Sequence, residues 1–133
     1  MPRTLARRRR GAAVVEFAVI VPLLLLLLFG VVEVGYTFMV RHALAVAARE
    51  GARVASLPGA TVTKVEDAVE LAMTGPNITG YTTTTNLAGL ASTEPVVWVD
   101  VAITVNRVTF TGQMLGGGTV PLSARVYMHR EGL

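Results

Sequence analysis

The chain has 133 residues, enough for one small domain plus an anchor but not for two domains. It is 52% hydrophobic, carries a formal net charge of +3 and contains no cysteine, which excludes disulfides, thiolate metal sites and a cysteine nucleophile. The charge is unevenly placed. Arg3, Arg7, Arg8, Arg9 and Arg10 supply five of the 12 basic residues within the first eleven positions, leaving seven bases against nine acids in the rest. That remainder has no basic stripe to cradle phosphates, so no nucleic-acid partner is expected. The arginines read as a cytoplasmic topology signal.

The first predicted element is a membrane helix. Phe17 to Val32 carries no charge, and Ala12–Val15 and Val34–Val40 extend it beyond the single charges Glu16 and Glu33. A spanning helix needs about 20 apolar residues for a hydrocarbon core of about 30 Å. A secretory signal core is shorter, about 7–15 residues, and is followed by a small-residue cleavage site. More helix follows Val40 here, so the segment reads as a retained anchor. Five arginines before the span against Arg41, Arg49 and Arg53 after it place the N-terminus in the cytoplasm and the C-terminal part outside. Pro22 predicts a kink, and Gly30 and Gly35 are small positions where another helix could approach. Glu33 falls near the outer interface.

Arg41–Leu57 predicts a projecting continuation of the same helix, with Ala45, Ala48, Ala52 and Ala55 making a narrow apolar face and Pro58–Gly59 stopping it. From Ala12 to Leu57 the helix would run about 69 Å at 1.5 Å per residue.

At its head stands Arg7-Arg8-Arg9-Arg10-Gly11-Ala12-Ala13-Val14-Val15-Glu16-Phe17. A basic run ends in glycine, an apolar segment begins at once, and a lone glutamate stands at the fifth position after the glycine. Glycine lets an extended backbone enter a protease cleft, and a carboxylate at membrane depth is costly unless paired. The string resembles the leader of type IV prepilins. With Pro22, the leucine run, Glu33, Tyr36 and Ala47-Ala48-Arg49-Glu50-Gly51-Ala52-Arg53, the segment from about residue 7 to 56 is similar to the TadE-like family, minor pilins or pseudopilins of the tight-adherence (Flp, type IVc) pilus.

The resemblance implies cleavage between Gly11 and Ala12 by a prepilin peptidase, with Arg7, Arg8, Arg9 and Arg10 holding the leader at the cytoplasmic face. It also implies that Glu16, followed by Phe17, pairs with the Ala12 ammonium of a neighbouring subunit. The implied partners are the peptidase, other pilin or pseudopilin subunits and the pilus assembly machinery, besides membrane lipid. The implied location is the bacterial inner membrane, with possible incorporation in a pilus. Many members carry cysteines in the C-terminal half, and this chain has none.

Beyond the helix, Thr63-Lys64-Val65-Glu66 fits a capping box. It opens a short amphipathic helix over 64–74, with Val62, Val65, Val69, Ala72 and Met73 on one stripe and Glu66, Asp67 and Glu70 facing away. Gly75–Pro76 ends it. Residues 75–95 read as a loop, with a sequon-like Asn77-Ile78-Thr79. Alternation predicts strands through Val97, Val99, Val101, Ile103 and Val105, and through Val120, Leu122, Ala124, Val126 and Met128, with Val108–Thr111 as a third.

The fold class is therefore α+β: a long N-terminal transmembrane, pilin-like helix, then a small domain with one short helix and an antiparallel sheet. Residues 1–11 are the leader, 12–57 the transmembrane and projecting helix, and 58–133 the extracytoplasmic domain.

No catalytic constellation emerges. His42 and His129 lack acid or ligand neighbours at useful spacing, Ser56, Ser92 and Ser123 lie in no nucleophile motif, and Gly116–Gly118 lacks the following lysine of a phosphate loop. No metal or cofactor is expected, nor an enzyme. Two functions remain: a structural subunit for pilus assembly, or an uncleaved single-pass anchor presenting a binding module in the cell envelope.

Overall fold

The computed structural model describes the backbone of residues 3–90, 94–106 and 118–131, and the side chains of these except 3–10 and 106. Helix α1 runs unbroken over Arg3–Ser56, through Pro22. It starts nine residues before Ala12, so the arginine-rich segment continues the membrane helix as helix. No proline interrupts residues 3–21, and the alanines and arginines there are strong helix formers.

The apolar face that α1 turns to the domain keeps Ala48, Ala52 and Ala55 of the predicted alanine line and is wider than it. Val40, Ala43, Leu44, Ala47, Ala48, Gly51, Ala52 and Ala55 are buried, while Ala45 stands half-buried at the edge. Spacings of three and four still govern it, but the stripe passes through Val40, Leu44 and Gly51. Gly51 is where the helices close on each other. A Cβ built there would lie 2.8 Å from Val69 Cγ2 and 3.1 Å from Val99 Cγ1. Only a residue without a side chain lets α1 come this near.

After a turn in which Gly59 takes φ 73°, helix α2 covers Val62–Thr74. It begins two residues earlier than predicted. Thr61, not Thr63, is the N-cap: its backbone is extended, and its Oγ1 accepts the Lys64 N–H at 3.3 Å. Starting at Val62 lets Val65, Val69 and Met73 all reach the core. The helix closes in a Schellman arrangement, with Asn77 left-handed at φ 53° and the Ile78 N–H donating to the Met73 carbonyl at 3.4 Å. Ile78 and Met73 are both buried beside this bond. Asn77 thus has a structural reason to be asparagine, because that residue tolerates positive φ.

Three antiparallel strands follow, β1 Thr82–Thr85, β2 Val96–Asn106 and β3 Thr119–His129, in the order β1-β2-β3. β1 lies inside the segment expected to be loop. All four of its residues are threonine, so no hydrophobic alternation marks it, although β-branched residues suit a strand. Its pairing with β2 is prolonged by side chains: Thr85 Oγ1 donates to the Trp98 carbonyl at 2.8 Å, and Asn86 Oδ1 accepts the Trp98 N–H at 2.9 Å. The expected strand Val108–Thr111 lies outside the described residues.

β2 and β3 behave as their alternation predicts. Val97, Val99, Val101 and Leu122 are buried against α1 and α2, while Ser123, Arg125, Tyr127 and His129 are exposed on the other face. The helices cover one side of the sheet, a two-layer α+β arrangement. Just past β3, the Glu131 N–H donates to the Ser56 carbonyl at 2.8 Å, tying the end of the chain to the end of α1.

Candidate functional site

The membrane stretch of α1 is defined by what does not cover it. Along Gly11–Ser56 the most apolar 18-residue window is 0% buried by the rest of the chain, and the helix is long and apolar enough to cross a membrane. From Val14 to Val34, fourteen large apolar side chains stand exposed on all sides, Phe17 at 69% and Leu23 at 70% among them. A helix apolar all round belongs in a core or a bilayer, and the domain offers this stretch no core. Each such side chain is stabilised by about 1.5–3 kcal/mol when taken out of water. Fourteen of them outweigh the whole stability of a domain, about 5–15 kcal/mol, so lipid or partner helices must cover them.

The sequence-predicted site residues lie at the N-terminal end of this helix. Gly11, Ala12, Glu16 and Phe17 are all exposed on α1. Gly11 is open, with nothing within 4 Å of a Cβ placed there. Ala12 and Glu16 are one helical turn apart and therefore share a face. Arg7, Arg8, Arg9 and Arg10 sit on the same helix by backbone, their side chains being outside the described set. The backbone at Gly11 is helical, so a peptidase that reads an extended strand must first unwind a turn around it. Gly30 and Gly35 are likewise open. Near the domain, the Thr37 hydroxyl donates to the Glu33 carbonyl at 3.0 Å.

Residues 11–53 match the family model described as TadE-like protein. Over these residues α1 is similar to TadE-like proteins. The match begins at Gly11, ends at Arg53 and lies wholly on α1, about a third of the chain. It takes in the open glycine, Glu16, Glu33 and the Val40–Ala52 face that packs the domain. α2 and the three strands lie beyond the TadE-like segment. No curated protein and no solved structure matches the chain.

The domain offers little chemistry of its own. Among the described residues, no group of three or more His, Cys, Asp or Glu is placed to hold a metal ion. On the exposed sheet face Trp98 stands opposite Tyr127 and Asp100 opposite Arg125. The Arg125 guanidinium lies 4.4 Å from the Trp98 ring centroid and 3.2 Å from Asp100 Oδ2. Hydrogen bonding to Tyr127 first, and then to Asp100, raises the Arg125 pKa further above its ordinary value, so this cation is permanent. Tyr81 has a raised phenol pKa because burial desolvates it and, secondly, because Glu70 is negative; it stays neutral at physiological pH. These are cross-strand and packing contacts. Sequence reasoning missed Gly51 as the close-packing position in the matched segment. Its signal was a glycine amid Ala47, Ala48, Ala52 and Ala55 at helical spacing.

Proposed function

We propose that the chain is a minor pilin- or pseudopilin-like structural subunit for assembly of a tight-adherence (Flp) pilus. The observation that carries this reading is the TadE-like helix itself: its most apolar stretch uncovered by its own domain, headed by Gly11, Ala12 and Glu16, and continuous with the folded part. On this reading a prepilin peptidase removes residues 1–11 at the cytoplasmic face, leaving 122 of the 133 residues. The helix from Ala12 then holds the subunit in the inner membrane, with the domain outside, until it packs against other pilin or pseudopilin helices. The Glu16 carboxylate pairs with the new Ala12 ammonium of a neighbour, and the open Gly30 and Gly35 allow close helix approach. The subunit catalyses nothing and is itself the peptidase's substrate.

Substitution at the cleavage site tests the reading. In a cell with active prepilin peptidase, Gly11→Leu is expected to leave the whole population at precursor mass, while the unsubstituted chain is shortened. An unsubstituted chain that also stays at full precursor mass would favour the uncleaved anchor that presents its sheet domain to an envelope partner.

A further inference from the structure

The sheet points one of its ends back at the membrane. Two contacts fix its direction along α1. Val99 lies at Gly51, and beyond the Val96–His129 rung the Glu131 N–H reaches the Ser56 carbonyl. β2 therefore runs opposite to α1, and its last residues descend toward the membrane stretch. From Val99 to Val105 is six residues, about 20 Å at roughly 3.3 Å each. The same length of helix holds about 13 residues, which leads from Gly51 back to Phe38. Any inclination between strand and helix shortens this, so Val105 and its register partner Val120 stand level with the stretch from Phe38 to about Leu44.

That is also where the bilayer ends. Counted from Phe17, about 20 residues of hydrocarbon depth finish at Tyr36, and a headgroup layer of about 5–8 Å reaches to about Arg41. Phe38 and Met39 are 66% and 47% exposed at this level, and Val40 is the first described residue of α1 that is buried. Beside them Ile103, Val105 and Val120 are only half-buried, although they face the helix side of the sheet, and Thr119 and Pro121 are exposed. These half-buried apolar residues of the sheet end thus stand at the level of the exposed Phe38 and Met39.

We propose that this end of the sheet, Val105, Val120 and Pro121 beside Phe38 and Met39, is a membrane-docking surface that seats in the headgroup layer of the leaflet on the domain's side. The occupant is lipid, because this sheet end stands level with the end of the apolar stretch of α1 that the rest of the chain leaves uncovered. The domain then rides on the membrane in a fixed pose, which would orient every subunit alike before assembly. The inference rests on the membrane-spanning reading of α1 and goes beyond it.

The absence of cysteine makes single-cysteine spin labelling clean. The full chain in phosphatidylcholine vesicles would carry a nitroxide at Leu25→Cys, Thr119→Cys or His129→Cys. Power saturation compares access of lipid-soluble oxygen with that of a water-soluble nickel chelate. The expected oxygen-to-nickel ratio is highest at Leu25, lowest at His129, and several-fold above the His129 value at Thr119. A Thr119 ratio equal to that of His129, with Leu25 lipid-like, would overturn the docking surface alone. A water-like Leu25 would overturn the spanning reading as well. Dipolar broadening at Thr119 would overturn lipid as the occupant in favour of a second copy. Thr119 and His129 are exposed, so the labels leave the core intact.

Discussion

Gly51→Leu is expected to abolish the cooperative unfolding transition of the domain. The glycine sits where α1 meets both α2 and β2, and even one added carbon would fall 2.8 Å from Val69 Cγ2 and 3.1 Å from Val99 Cγ1. All three residues lie in the packed interior, so neither valine can swing into solvent. Gly51→Ala is expected to lose about 1–3 kcal/mol to overpacking, less about 1 kcal/mol returned by the better helix propensity of alanine. Adding Val69→Ala should make room, so the double variant should cost less than the sum of the two singles, the sign of contact between the positions. Gly35→Ala makes the same chemical change where nothing lies within 4 Å, and should leave the transition in place. Denaturation of the full chain in nanodiscs, followed by the near-UV signal of the single tryptophan, Trp98 in β2, reads all five variants. A Gly51→Leu chain as stable as the unsubstituted one would show that α1 and α2 do not pack as described.

Glu16→Ala is expected to separate processing from assembly. The side chain stands exposed on α1, one turn from Ala12, and touches nothing in the domain, so folding and cleavage should proceed. Its proposed role is the pair with a neighbour's Ala12 ammonium at membrane depth. Removing one partner of a buried pair costs about 3–5 kcal/mol, because the other charge is left without compensation. That corresponds to a fall of about 10²–10⁴-fold in subunit affinity. The measurement is the amount of subunit in sheared filaments against the amount in the membrane fraction. The expected result is a shortened chain present in the membrane and lost from filaments. Incorporation at the normal level would remove the Glu16–Ala12 pairing from the account.

How far the sequence alone reaches depends on what kind of signal each element leaves. The membrane helix is written in composition, so it is legible without neighbours. β2 and β3 are written in strict alternation, Val97-Val99-Val101 and Val120-Leu122-Ala124, and their inward faces are as expected. β1 is not legible because Thr82–Thr85 has one residue type on both faces; only pairing with Val99–Ala102 makes it a strand. The start of α2 is ambiguous because Thr61 and Thr63 can both cap, and tertiary burial of Val65, Val69 and Met73 selects Thr61. Of the α1 face drawn through Ala45, Ala48, Ala52 and Ala55, the last three are buried and Ala45 stands at the edge; alanine is weakly informative about direction, whereas Val40 and Leu44 carry the bulk. For the candidate site, the order basic run, glycine, apolar run, glutamate is linear, so it is visible in the sequence and coincides with the start of the matched segment at Gly11. The close approach at Gly51 is a contact between three elements, which no single stretch of sequence contains.

The proposed pilin role requires a new N-terminus at Ala12. Intact-mass and terminal-peptide mass spectrometry on the chain from the membranes of a piliated cell, and again from its sheared filaments, reads it directly. The expected chain begins at Ala12 in both fractions and lacks Arg7, Arg8, Arg9 and Arg10. A chain that still carries residues 1–11 in a cell whose prepilin peptidase is active would contradict it.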